Sequence, residues 1–441
     1  MSKFKEYSQH QMMLLPPSLE EKIEEGHIAR LISRVVDELK ISNIAKSYSG
    51  IGCRAYHPRM LLKLLIYGYS TGMRGSRKIQ KATREDLVFM WLSGMQEPDF
   101  RTISDFRKSR IKDIKHLFRQ VLETCKELGL VRCGRISLDG TKLEASSSRH
   151  RVTYRKSLEK RKSKYEKEIE EILKEAEAVD EEEDHCYGEH DGYTLDRDFS
   201  SDEIKKALQK TRKKRKSIGR KVEKKLEKLE VVKEKLKRMG ESRNSFGNTD
   251  KDSTLMQMKE GYLGLGYNLQ MATENQVIVG YGVYQNRTDY HLLKPMVQEV
   301  ETNTKRKPEA ITADKGYGSQ KNYEYMESRS IKAAIPHQNY DFDRMARKKG
   351  TYKKSKNLPY ERLKLKIMDF LETKEGKSLL KKRKHDVEPT FGDIKQNMGF
   401  RKLLLRTKPK VNIEIGLVAI AHNIKKIKSF LMLNQMAFQL V

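Results

Sequence analysis

The chain of 441 residues has very little cysteine: Cys53, Cys125, Cys133 and Cys186, with no C-x-x-C pair. That scatter excludes a disulfide framework and a closed structural zinc module, and it suits a reducing compartment. It lacks any run of about 18 apolar residues, so no membrane span is expected. The most apolar stretch near the end, 413–431, is interrupted by His422, Lys425, Lys426 and Lys428. The opening MSKFKEYSQHQMMLLPPS has no continuous apolar segment of the signal-peptide kind. Together these absences predict a cytoplasmic protein. No G-x-x-x-x-G-K-[ST] loop occurs, so ATP use is not indicated. Acidic charge is short as well: 91 Lys plus Arg stand against 61 Asp plus Glu, a net +30. An excess of that size suits a polyanion, because each phosphate neutralised releases a condensed counterion. Charge alone does not separate DNA from RNA or an acidic membrane surface.

Residues 1–125 read as a helical N-terminal domain. Pro58 is placed to open a helix through Leu61, Leu65 and Tyr67, Gly72 and Gly75 mark a turn, and Ser76 is placed to cap the next helix. Pro98-Asp99 precedes a further helix holding Thr102, Ile103, Phe106, Ile111, Ile114 and Phe118. Its exposed side is expected to carry Arg101, Arg107, Lys108, Arg110, Lys112 and Lys115. Short helices, a tight turn and a basic face suit a helix-turn-helix-like DNA reader, with Arg107 and Lys108 on duplex DNA. An ordinary amphipathic bundle with a solvated basic face has the same pattern.

The period changes at 131–149. Ile136 and Leu138 alternate with Ser137, Asp139 and Thr141, which predicts a strand with a carboxylate in its middle. Residues 150–250 differ again. Leu158, Tyr165, Ile169, Ile172 and Ala176, and later Val222, Leu226, Leu229, Val232 and Leu236, recur at heptad-like spacings. Between them lies the acidic, irregular VDEEEDHCYGEHDG, so an antiparallel coiled-coil hairpin with a charged tip is expected. His185, Cys186 and His190 in that tip match no closed metal-ligand set. Residues 251–441 return to strands near 267–272 and 276–284, joined by the turn 273–275. Asp289 is placed to cap the helix of Leu292, Leu293, Met296 and Val300. The strand in AITADKGYGS, the helix QKNYEYMESR, the strand KAAIP, a basic loop Arg344–Lys356 and C-terminal helices follow. The order predicts an α/β core with a mixed sheet, the long hairpin spliced in after its first strand.

Three carboxylates stand out. Asp139 is mid-strand, and Asp314 ends a strand beside Gly316 and Gly318, where sites form at strand ends. Glu388 precedes Pro389, which a helix tolerates in its first turn, and Lys395 follows on the same face. Hard oxygen ligands of this kind suit Mg²⁺, and two such ions can assist cleavage of a phosphodiester. Each residue alone also has an ordinary reading, as a turn or helix-start residue. His422 and Asn423, on the C-terminal helix, read as packing or capping, and Trp91 as core.

These segments resemble the insertion-sequence DDE transposases of bacteria, and within them the group numbered eleven-eighty-two. YHPRMLLKLLIYGYSTGMRGSRKI is similar to that family's N-terminal domain, and GYNLQMATENQVIVG to its second and third core strands. ISLDGTKLEASSS matches the first-aspartate motif, ITADKGYGS the second, and VEPTFGDIKQNMGFRKLLLRT the glutamate motif. The resemblance implies an all-α N-terminal domain and an RNase H-like core. That core is a mixed five-stranded sheet with flanking helices, interrupted by the hairpin insertion. It implies that Asp139, Asp314 and Glu388 hold two Mg²⁺ or Mn²⁺ ions. It implies cutting of element ends, strand transfer into target DNA, and a homodimer on double-stranded DNA, with no membrane partner. Lys395, Lys384, Arg383 and Arg401 would contact the DNA. In the wider signature Y-x2-R-x3-E-x6-K, Lys381 and Lys384 occupy the Tyr and Arg places, and Arg383 is one residue off. A non-cutting relic or regulator that binds the ends is the alternative this departure leaves open. A coiled-coil RNA-binding protein is a further one, resting on the basic arm.

Overall fold

The computed structural model describes residues 18–48, 54–111, 113–148, 150–187, 216–241, 243–259 and 261–433. The chain divides into two units. One comprises Met1–Ser146, Met258–Gly261 and Gly266–Val441, and the other Ser147–Gln257 with Tyr262–Leu265.

The first unit begins with helices α1 (Ile28–Glu38), α2 (Ser42–Ala45), α3 (Pro58–Ser70), α4 (Ser76–Glu85), α5 (Leu87–Ser93), α6 (Phe100–Asp105) and α7 (Ile114–Glu127). Pro58 does open α3, and His57 caps it by accepting from the Arg59 N–H. Gly75, not Ser76, is the capping residue of α4. The helix expected through 102–118 is two helices. A π-helical turn, Phe106–Arg110, follows α6, and the chain then breaks before α7.

The sheet of this unit contains β1 (Arg135–Glu144), β5 (Leu263–Glu274), β6 (Val277–Tyr284), β7 (Ala310–Thr312) and β8 (Lys332–Ala334). β5 lies antiparallel between β1 and β6, with Asp139 opposite Met271. β7 runs parallel to β1, and β8 parallel to β7. The order β6-β5-β1-β7-β8, three antiparallel strands and then two parallel ones, is that of an RNase H-like core. Both strands are buried on both faces; β6 is a continuous apolar run, whereas in β5 Leu265, Tyr267, Leu269 and Met271 alternate with Gly266, Asn268, Gln270 and Ala272. Their connection is the two-residue turn Asn275-Gln276, with φ of 51° and 64°, a left-handed pair whose twist matches the flanking strands.

Helices α10 (Leu293–Thr304), α11 (Gln320–Ser328), α12 (Tyr340–Lys348), α13 (Leu358–Glu372), α14 (Lys374–Gly392) and α15 (Lys408–Leu433) complete the unit. α12 extends into the expected basic loop as far as Lys348. Its first turn carries Asp341 and Asp343 and its last Arg347 and Lys348, charges that complement the helix dipole. α15 covers β6, where the Asn423 amide accepts from Ile278 N and donates to Ile278 O, both at 2.9 Å. That pair satisfies a strand whose only strand neighbour among the described residues is β5. Trp91 is half-buried against the core, with Arg30 over its ring.

In the second unit, β2 (Val152–Tyr154) pairs antiparallel with β3 (Ser245–Gly247). β4 (Thr254–Gln257) pairs with β5, whose first residues belong to this unit. Helices α8 (Arg155–Tyr187) and α9 (Lys216–Met239) form the expected antiparallel hairpin. Leu158 packs with Val232 and Met239, and Ile169 with Val222 and Leu229, so early α8 meets late α9. α8 stays helical through Val179–Tyr187, where the sequence predicts an irregular piece; its acidic run has neither Gly nor Pro to stop it. His190 and the stretch KKALQK lie outside the described residues.

Candidate active site

The odd-numbered face of β1 meets α14 and the turn after it, as the alternation predicts. Ser137 Oγ donates to Asp386 Oδ2 at 3.2 Å. Arg383 Nη1 lies 3.4 Å from Asp139 Oδ2. Lys395 Nζ donates to Thr141 Oγ1 at 2.5 Å. Three successive same-face residues of one strand are thus tied to one helical segment.

That segment differs from its sequence reading. Pro389 lies in the last turn of α14, not the first, so Glu388 stands near the C-terminal end of a 19-residue helix. The helix passes directly into a π-helical turn, Asp393–Asn397, which carries Lys395. Pro389 has no N–H for the regular ladder and crowds the preceding turn, and the helix changes its winding just beyond it. Glu388 is exposed.

Asp314 follows β7 and caps a short 3-10 turn, accepting from Gly316 N at 2.9 Å through Oδ1. Asp139 accepts from its neighbour Gly140 N at 2.8 Å. Between them the structure brings a carboxylate that the sequence reading used as a helix cap. The Asp289 backbone carbonyl accepts from Leu292 N, but its side chain turns to β5. Asp289 Oδ1 accepts from Asn268 Nδ2 at 2.6 Å and Gln270 Nε2 at 2.7 Å. The buried Tyr317 hydroxyl donates to Gln270 Oε1 and so fixes the way that amide points. A methyl group on Gly140 would meet Asp289 Oδ1 at 2.9 Å. One on Gly316 would lie 3.0 Å from Asp314 Oδ1 and 3.8 Å from Asp289 Oδ2. The two glycines leave the space that the carboxylates occupy.

Burial pushes the Asp139 carboxyl up to about 6; Arg383 opposes this, and the Asp314 and Asp289 charges add to it. Burial raises Asp314 as well, with Gly316 N–H and Arg383 opposing and Asp289 adding. Burial and then the charges of Asp289, Asp139 and Asp314 raise Tyr317. Acids that are short of positive charge, with hard oxygen donors, fit a divalent cation such as Mg²⁺. Asp139 lies within reach of the Asp314 and Asp289 charges; Glu388 is not drawn in with them. Among the described residues, no three His, Cys, Asp or Glu side chains stand close enough to close on an ion.

Beside Asp314 opens a cavity of about 660 Å³ lined by Lys315, Lys381, Arg383 and Lys384, with Pro336, Asp341 and Leu380. Lys384 and Arg401 are exposed, as is Lys108 on the N-terminal helices. Arg107 is not. It is 4 % exposed, donates to Tyr69 Oη, Arg74 O and Ser76 Oγ, and sits near the fully buried Glu414, to which Arg74 also pairs. A charge held there cannot be offered to DNA, so its expected exposed position is corrected. Lys112 lies outside the described residues. Asp289 was missed because its helix-start position explains it fully until β5 is folded beside it.

A family model described as a transposase DDE domain matches residues 245–424, and one described as a transposase domain matches residues 17–109. No curated protein and no solved structure matches the chain. No described helix is long and apolar enough to cross a membrane. With both family matches in chain order and an RNase H-like sheet carrying paired aspartates, the chain belongs to the insertion-sequence DDE transposases.

Proposed function

We propose that this transposase cuts the ends of its insertion sequence and joins them to target DNA. Asp139, Asp314 and Glu388 would hold two divalent ions, Mg²⁺ or Mn²⁺. The observation that carries this reading is the convergence of Asp139 and Asp314 beside the basic face of α14. When bound, the ions supply a water activated at neutral pH and stabilise the departing 3′ oxygen. The chain's own residues do the rest. Gly140 and Gly316 N–H groups fix one oxygen of each aspartate. Arg383 holds the other oxygen of Asp139. Lys395, Lys384 and Lys381 would take backbone phosphates as point charges. Glu388 would join the site by a side-chain rotation in the last turn of α14, between the Arg383 and Lys395 contacts.

Arg383 also bears on the alternative of a non-cutting relic. The position expected to carry arginine holds Lys384, yet a guanidinium does reach the first aspartate, from one residue earlier. This supports an active enzyme. Residues 1–125 would read the DNA ends, and two chains would synapse them as a homodimer. The group numbered eleven-eighty-two remains the assignment that the motifs support best.

The test is nicking of duplexes carrying the element's ends. Purified protein is expected to cut with Mg²⁺ or Mn²⁺ and not with EDTA, while D139N and D314N bind DNA without cutting. Cutting by D139N at the wild-type rate would sink the assignment.

A further inference from the structure

The His422-Asn423 pair was expected to pack or cap. His422 is indeed fully buried, but each of its ring nitrogens faces an acceptor. Nε2 lies 2.8 Å from Gln276 O, and Nδ1 lies 2.8 Å from Asp393 Oδ2. A neutral imidazole has one N–H and would satisfy one of them, leaving two acceptors facing each other at the second contact. A backbone carbonyl cannot donate. Asp393 is not free to donate either: Lys425 Nζ and Asn397 Nδ2 donate to its other oxygen, Asn397 at 3.0 Å. Burial would raise this carboxyl, but the hydrogen bonds from His422, Lys425 and Asn397 hold it well below the usual range. The remaining arrangement is an imidazolium donating twice.

The two acceptors sit in parts of the fold that matter for the site. Gln276 is in the turn of the β5–β6 hairpin. Asp393 opens the π-helical turn that carries Lys395 to Thr141. A π-helical turn takes in one residue more than an α-helical one, and losing that residue would rotate the downstream residues by about 100°. The aim of Lys395 therefore depends on what pins the turn.

We propose that His422 is a buried imidazolium that positions Lys395 by clamping the 393–397 turn to the β5–β6 hairpin. The charged groups facing the clamp are Asp393 on the turn, and Lys425 and Lys426 on α15; Lys426 donates to the Gln276 side chain. The consequence for cutting rests on the proposed role of Lys395, but the protonation state of His422 does not.

Two measurements on the full chain test it. Nitrogen-15 NMR of histidine-labelled protein at pH 7.5 should show one histidine, absent in H422Q, with both ring nitrogens protonated; in D393N it should lose a proton. A neutral tautomer in wild type would overturn the clamp, whatever happens to cutting. Single-turnover cleavage by H422Q should fall on the order of a hundredfold, as for a misplaced catalytic group. DNA affinity and the circular dichroism spectrum should stay near wild type. Because both changes act through one ammonium, adding K395A to H422Q should cost little more. Full multiplication of the two losses would show that His422 does not act through Lys395. If K395A alone cuts normally, the reading of the site fails, and the NMR result still decides the imidazolium.

Discussion

Asp139 lies on a strand whose other side is core, and that placement sets its acidity. The strand carries Leu138 inward, fully buried, and turns Asp139 toward Arg383. Burial dominates over the one guanidinium, so the carboxyl holds its proton up to about 6 in the folded chain, against an ordinary value near 4. Between those two values the folded state binds the extra proton. Stability therefore falls as pH rises from about 4 through about 6, and above that range the ionised group is a cost of about 3 kcal/mol. D139N should consequently raise the melting temperature of metal-free protein at pH 7.5. Added Mg²⁺ should stabilise wild type and leave D139N nearly unmoved, and cutting should decline below pH 6 as the ligand takes up its proton. Thermal scans with and without the ion check this; equal metal responses in the two proteins would remove Asp139 from the site. At this scale the placement of the two aspartates, within one strand and at the end of another, was legible, because alternation and glycine placement are local signals. The contact of Arg383 with Asp139 and the place of Asp289 beside it were not. The first depends on which side of α14 faces β1, the second on two amides that β5 contributes from about 20 residues away.

Among the elements, strands were read better than helices, and for a physical reason. β1, β5 and β6 announce themselves by alternation or by continuous apolar runs, which neighbours on the sheet only reinforce. The helices that matter contain π-helical turns at 106–110 and 393–397, and both shift the phase on which face assignments rest. Arg107 shows the effect. Within a regular basic helix it would share the solvent with Lys108; here it points into a buried network of Tyr69, Arg74 and Glu414, some 300 residues apart in sequence. Glu414 is held by Leu404 and Leu405 N–H groups and by the nearby guanidinium charges. Removing one partner of such a group leaves a buried charge less compensated, a loss of about 3 kcal/mol or more. R107A should thus unfold at clearly lower urea, whereas K108A should keep wild-type stability and bind duplex DNA more weakly. Urea curves paired with binding isotherms distinguish them. A fully stable R107A that binds poorly would return Arg107 to the DNA surface.

For the whole molecule, the net charge of +30 was legible at once as a sign of a polyanion, and the family matches agree with it. What composition does not show is how that charge is divided. Some is spent inside, as at Arg107 and at Arg243, which is 3 % exposed. Some is paired along the helical hairpin, where Lys225 meets Glu168 and Lys164 lies beside it. The hairpin belongs to a unit separate from the one that holds Asp139 and Asp314. Its helices pack side by side through Ile169, Val222 and Leu229, so residues 176–218 can be replaced by a short Gly-Ser connection that leaves this packing in place. The shortened chain should keep the melting-temperature rise with Mg²⁺, because the aspartates lie elsewhere. It should lose DNA affinity mainly at low salt, with a shallower dependence of log K on log salt, since KKALQK and RKKRK both go with the deleted segment. K384A, by contrast, should lower that slope by about one, the share of a single phosphate contact. If the shortened chain binds with an unchanged slope, the arm's basic residues do not touch DNA. If it loses its response to Mg²⁺, the two units are not independent in stability.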